Sequence, residues 1–313
     1  MENNIGGESG QNYFDIVFKN IRVDFEIAMR AARFASGKYS GSEDSLKERY
    51  FAIQQLHGII WKFKWELSIL RHFFRHEVIT SAIRWGNSVQ NDFKPIMLPD
   101  ANKSITFEDS FFTTPYYDMI LSGYSSMYHK IEALVEMLKK HSKGESLGVL
   151  YSNNQFVDYE PILNEEDITF NDLAQIGSKS KTYHKRIHII KEINNRSKHQ
   201  AGYLKNSKDI LLEYMPNIDT ADKINPPIEQ FYYDFWYTEQ YLSSISSLIS
   251  MAYSVAALDA EIRDTAEDTI PFPQQETKEN YMNKLHNARS STRDELHTLA
   301  AAFKAGEIFK RTA

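Results

Sequence analysis

Cysteine is missing from all 313 positions of this chain. Its absence excludes disulfide bonds, thiolate metal sites, iron–sulfur clusters and cysteine nucleophiles. It also fits a reducing compartment, and we expect the protein to be cytoplasmic. The opening residues, MENNIGGESGQN, lack the basic and apolar regions of a signal peptide, and the sequence predicts none.

Several other features are also missing. No stretch approaches about 18 consecutive apolar residues, so the sequence predicts no membrane contact. A formal charge of −6 argues against bulk binding to DNA, although a local basic patch is compatible with it. The phosphate loop and the G-x-G-x-x-G, G-x-S-x-G and H-E-x-x-H motifs are absent too. These absences remove most common enzyme classes, and we expect no cofactor.

What is present is a regular spacing of apolar residues that predicts an all-α helical bundle. The predicted helices cover residues 13–36, 46–86, 110–141, 169–199, 228–262 and 276–305. Residues 147–163 differ, because two alternating runs flank the pair Asn153-Asn154. That pattern predicts a small β-hairpin insertion. "SITFED" and "DITFND" each place an acid three residues after a threonine, which predicts two capped helix starts.

Breaks in the pattern divide the chain into four segments. They are a disordered tail at 1–11, long N-terminal helices at 12–104, a helical bundle with the hairpin at 105–265, and a linker with a C-terminal helix at 266–313. The same segments are also compatible with one continuous domain.

The most informative stretch is "NNRSKH", residues 194–199, which directly follows a run of isoleucines. One interpretation is a helix end, in which Asn194 and Asn195 cap the helix. Arg196, Lys198 and His199 would then favour the negative end of the helix dipole. If the helix instead continued, Asn194 and His199 would lie about 140° apart around its axis.

The stretch also resembles the R-N-x-x-K-H form of the HEPN superfamily signature, with Asn194 where the family has arginine. The resemblance extends over residues 110–265 and includes an earlier helix, "YSSMYHKIEALVEMLKKH". It implies a helical bundle that dimerises and brings two motif copies together. HEPN ribonucleases cut RNA without metal, and many belong to bacterial toxin–antitoxin or phage-defence systems.

The resemblance implies roles for individual residues in this chain. His199 would be the general acid or base, and Arg196 or Lys198 would supply the cation that stabilises phosphate charge. Asn194 would donate a hydrogen bond without a charge, and Asn195 and Lys198 would contact RNA. We therefore expect an RNA-directed protein with weak or no metal-independent ribonuclease activity.

A second stretch, "RHFFRH", resembles the same signature. Arg71 and His76 have the R-x4-6-H spacing, and His72 is the polar second residue. The alternative is a charged stretch inside a long helix.

A third stretch, "HKRIHIIKE", places His184, His188 and Glu192 one above another on a helix. Such a set could bind a metal ion. Because Lys191 shares that face, which lies opposite the isoleucines, we favour a solvated face and predict no metal site.

The densest aromatic segment, residues 231–241, has rings on all sides of its predicted helix. One core-facing side of a helix cannot bury all of these rings, so we expect part of the segment to contact a second copy or another protein. This indicates an alternative function, a non-enzymatic helical scaffold or regulator that binds a protein partner. An RNA site would need a basic cleft around His199, whereas a scaffold needs an exposed aromatic patch.

Overall fold

The computed structural model describes residues 40–84, 107–145, 157–176, 180–204, 210–215, 224–267 and 277–308. Within these ranges the protein is all-α and has no strand. Its helices are α1 (Ser40–Phe73), α2 (Phe107–Ser142), α3 (Glu160–Glu165), α4 (Phe170–Ala174), α5 (Lys185–His199), α6 (Leu211–Tyr214), α7 (Ile228–Ala266) and α8 (Lys278–Lys304). A π-helical segment, Phe74–Val78, and helical residues 79–84 continue α1.

The helices predicted over 46–86, 110–141, 228–262 and 276–305 are confirmed where the described ranges include them. The single helix predicted over 169–199 is wrong in its middle, because α4 ends at its C-cap Gln175, whose φ angle is 52°, and α5 begins only at Lys185. α1 begins at Ser40 rather than near residue 46, and its first residues, SGSED, are the polar and acidic types that favour a helix start. The proposed hairpin is wrong at its second strand, because α3 occupies residues 160–165. Pro161 in the first turn favours that helix. The turn at Asn153-Asn154 and the rest of residues 147–156 lie outside the described residues, as do the tail, the 13–36 helix and Thr106, the cap predicted in "SITFED".

The threonine cap predicted in "DITFND" is confirmed. The Thr169 hydroxyl accepts from the Asp172 backbone N–H, and the Asp172 carboxylate accepts from the Thr169 backbone N–H. The other side of that carboxylate accepts from the Lys181 backbone N–H at 2.6 Å. The cap therefore fixes both the start of α4 and the chain that leads towards α5.

The chain divides into two compact units. The first consists of Met1–Lys62, Ala133–Tyr183 and Gln240–Ala313. Its core contains buried tyrosines whose hydroxyls donate to backbone carbonyls: Tyr241 to Leu173 and Tyr159 to Leu138, each at 2.7 Å. Both rings are buried and both hydroxyls have an acceptor, so they add apolar burial without an unsatisfied polar group.

The second unit consists of Phe63–Glu132 and His184–Glu239 and contains the stretches singled out in the sequence. Phe74, Phe231 and Phe235 pack at centroid distances of 5.1–5.7 Å. Gly123 of α2 lies against this cluster, and a Cβ placed there would be 2.4 Å from the Phe231 ring. Glycine at 123 therefore permits the close approach of α2 and α7.

α7 is long and apolar enough to cross a membrane by length and composition, and 89% of its most apolar window is buried inside the protein. Core helices of globular proteins share both properties.

Candidate functional site

Helix α5 carries the "NNRSKH" stretch and runs unbroken through it. The helix begins at Lys185 and ends at His199, so the stretch forms its last turns. Ile187, Ile190, Ile193 and Asn194 are buried on one side. The isoleucine pattern therefore continues into the motif, and Asn194 occupies a core position.

The prediction that Asn194 and Asn195 cap the helix is wrong. The C-cap is Gln200, and the Gln200 and Gly202 backbone N–H groups both donate to the Arg196 carbonyl at 3.0 Å. The chain turns away through Ala201 and Gly202, whose φ angles are 49° and 87°. The tertiary burial of the isoleucine side extends the helix past the asparagines.

The motif residues face different surroundings. The Asn194 side chain is 1% exposed, whereas Lys198 and His199 are exposed. Because a helix turns about 100° per residue, Asn194 and His199 lie about 140° apart. Within one chain, Asn194 and His199, the first and last residues of the "NNRSKH" stretch, do not share a site.

Glu192 neutralises the charge of Arg196 in the "NNRSKH" stretch. It forms an ion pair with Arg196 at 3.1 Å and accepts from the Asn195 amide at 3.2 Å. The Arg196 side chain is only 13% exposed. Of the basic side chains in this stretch, Lys198 and His199 are therefore the two exposed to solvent.

The three candidate metal ligands of "HKRIHIIKE" have different surroundings. His184 is buried at the N-cap of α5, and its ring lies 3.1 Å from the Tyr237 hydroxyl, while Glu192 is engaged by Arg196. Burial also lowers the pKa of His188. Among the described residues, no group of three acidic or histidine side chains is arranged to hold a metal ion. The expected solvated face is wrong at its first position, because His184 belongs to the core.

The second candidate stretch, "RHFFRH", lies where α1 passes into the π-helical segment. Arg71 forms an ion pair with Glu239 at 2.9 Å. His72 and His76 are exposed and pack against each other at 4.3 Å between ring centroids. Phe74 points into the core, so this stretch is a packed helix with an exposed basic side.

A buried cluster that the sequence analysis missed connects α2, α5, α6 and α7. Asp234 is fully buried and accepts from Arg186 Nε at 2.5 Å, from the Tyr124 hydroxyl at 2.6 Å and from the Tyr214 hydroxyl at 2.7 Å. Desolvation raises the pKa of the Asp234 carboxyl, while these three donors oppose the shift. An aspartate inside the otherwise apolar "FYYDFWY" run was the available signal, since a buried carboxylate requires partners.

The same part of α7 carries aromatic side chains next to basic side chains of α5 and the π-helical segment, and we call this exposed or half-buried set the aromatic surface. Tyr233 is 46% and Trp236 is 38% exposed, with their ring centroids 5.4 Å apart. Arg186 lies over the Tyr233 ring at 4.4 Å, and Arg75 lies over the Tyr232 ring at 5.9 Å. The aromatic surface consists of these five residues.

No family model, curated protein or solved structure matches this chain.

Proposed function

We propose that this chain is a HEPN-like helical protein of a bacterial conflict or phage-defence system that binds RNA without cutting it. One observation supports the non-catalytic part: α5 continues through residues 194–199, burying Asn194 and leaving His199 on another side. Metal-independent cleavage needs a general acid or base close to a group that stabilises phosphate charge. The buried Asn194 cannot serve that purpose beside His199.

The charge around His199 leads to the same conclusion. Arg196 is the motif residue that could replace the missing arginine, but Glu192 already holds it. Lys198 remains, and beside the exposed His199 ring it provides a positive charge suited to contact with phosphate. In this proposal the HEPN-like part is residues 105–265, and the protein acts in the cytoplasm, without a cofactor, as a homodimer or with a protein partner.

The test combines RNA binding and RNA cleavage on purified protein. We expect labelled RNA to be bound both by wild type and by His199→Ala, and to stay intact with both proteins over long incubation. Lys143→Ala is the control for loss of an exposed basic side chain, because it lies in the other unit and should bind RNA like wild type. Cleavage that disappears in His199→Ala would contradict the non-catalytic proposal. Failure of wild type to bind any RNA would contradict the RNA-directed function itself.

A second candidate function is supported by the exposure of Tyr233 and Trp236. Aromatic side chains are enriched in protein interfaces, and these two are not absorbed by the core. In this alternative the protein is a non-enzymatic scaffold or regulator that binds a protein partner or a second copy through the aromatic surface. Sedimentation velocity at high micromolar concentration tests it for self-association: a dimer that Trp236→Ala dissociates would support it, and a monomer would exclude the second copy.

A further inference from the structure

The aromatic surface has the composition of a stacking site for unpaired bases. We propose that it binds single-stranded RNA, with bases on Tyr233 and Trp236 and a phosphate beside Arg75. This inference rests on the RNA-directed function proposed above and moves the RNA site away from residues 194–199.

The two exposed rings are placed for neighbouring bases. Tyr233 and Trp236 lie one turn apart on α7, with ring centroids 5.4 Å apart and an interplanar angle of 40°. Between Ile228 and Gln240, the exposed side chains of α7 are these two rings and Glu229. No exposed aliphatic side chain occurs there, although aliphatic side chains are common at protein-binding surfaces. Stacking on exposed aromatic rings is a contact that unpaired bases make with proteins.

Cationic side chains border the rings on two sides. Arg75, from the π-helical segment, is exposed and lies over Tyr232, and it forms no ion pair with any residue that the structure describes. His72 and His76 add exposed imidazoles on the same helix. Glu229, in the first turn of α7, is the exposed acidic side chain of this part of the helix. We therefore place the phosphate near Arg75.

The buried Asp234 cluster fixes Arg186, the cationic side chain on the other side of the rings. Asp234 fixes Arg186 Nε, and Arg186 Nη2 donates to the Tyr214 hydroxyl at 3.0 Å. The guanidinium is thereby held 4.4 Å from the Tyr233 ring. A ring packed against a fixed guanidinium loses little freedom on binding, which favours affinity.

The experiment measures anisotropy of a fluorescein-labelled single-stranded RNA of about 12 nucleotides, a length within the usual range of such sites. We expect Tyr233→Ala and Trp236→Ala each to weaken binding about tenfold, equivalent to about 1.4 kcal/mol. Trp236→Phe should restore most of the loss because it keeps a stacking ring. Arg75→Ala should reduce the dependence of affinity on salt.

The matched control is Tyr203→Ala, which removes an exposed tyrosine close to residues 198 and 199 in the same unit. It should bind like wild type, and duplex RNA should compete poorly because its bases are stacked internally. If RNA binds but Tyr233→Ala and Trp236→Ala retain wild-type affinity, or Tyr203→Ala alone weakens it, this site is overturned while the proposed function survives. If wild type binds no RNA, both are overturned. Loss of self-association alone in Trp236→Ala would assign the surface to a protein contact and overturn the RNA site.

Discussion

Asn194 and His199 belong to the same helix but to different environments: the Asn194 side chain is 1% exposed in the core, and His199 is exposed in the last turn. The Asn194 amide oxygen has no hydrogen-bond partner among the described residues. Asn194 is therefore a core residue whose unsatisfied amide oxygen costs stability. It does not form an accessible site with His199.

We expect Asn194→Leu to leave stability within about 1 kcal/mol of wild type or to raise it, because it removes an unsatisfied polar atom. Asn194→Arg should cost about 3–5 kcal/mol, since it places an unpaired charge in the core. Asn195→Arg is the control at the neighbouring, half-buried position, and its cost should stay below about 1 kcal/mol. Urea unfolding measures all three. An Asn194→Arg variant as stable as wild type would mean that position 194 is accessible after all.

The Asp234 cluster predicts a pH dependence of stability. Its carboxyl has a pKa raised above the ordinary value of 3.8, mainly by desolvation, with Tyr124, Arg186 and Tyr214 facing it. The folded state therefore holds the proton more tightly than the unfolded state. This contribution to stability is complete below pH 3.8 and is lost as the pH rises through the raised pKa.

The free energy of unfolding of wild type should accordingly fall relative to that of Asp234→Asn as the pH rises from 3.8 towards neutrality. The comparison with Asp234→Asn removes the contribution of other groups, including Glu239, whose pKa burial also raises. Denaturant unfolding at a series of pH values measures the difference. If the free energy of unfolding of wild type instead rises relative to that of Asp234→Asn as the pH rises, the folded pKa of Asp234 is lowered.

The cap of α4 predicts a graded loss of stability. Thr169→Ala removes the hydroxyl that accepts from the Asp172 backbone N–H and should cost about 0.5–2 kcal/mol. Asp172→Ala should cost more, because that carboxylate accepts from the Thr169 N–H, the Thr169 hydroxyl and the Lys181 N–H. Thr298→Ala is the control, an exposed threonine inside α8, and should stay within about 0.5 kcal/mol. Equal costs for Thr169→Ala and Asp172→Ala in urea would contradict this arrangement.

Two helical glycines predict opposite effects of the same substitution. Gly123→Ala places a methyl group 2.4 Å from the Phe231 ring and should cost about 1–3 kcal/mol through overpacking. Gly58→Ala in α1 meets nothing within 4 Å and should stabilise by up to about 1 kcal/mol through helix propensity. Thermal melts compare the pair directly. A neutral Gly123→Ala would mean that α2 and α7 can separate without loss.

The sequence was sufficient to predict most helices and several of their ends. Thr169 and the residues after Pro227 begin α4 and α7 as their local patterns indicate. Helices are predictable in this way because their hydrogen bonds and caps join residues a few positions apart. Residues 160–165 form a helix that the alternating pattern of 147–163 did not predict, although Pro161 favours a helix start.

Tertiary structure decided the functional site. Whether α5 ended at Asn195 depended on what its isoleucine side packed against, and that packing carried the helix on to His199. Asp234 and Arg186 meet across 48 positions, and Arg75 reaches Tyr232 from another helix. Local spacing shows which residues share a helix face. Only the packing of helices distant in sequence determines which face is buried and which side chains on the other faces meet.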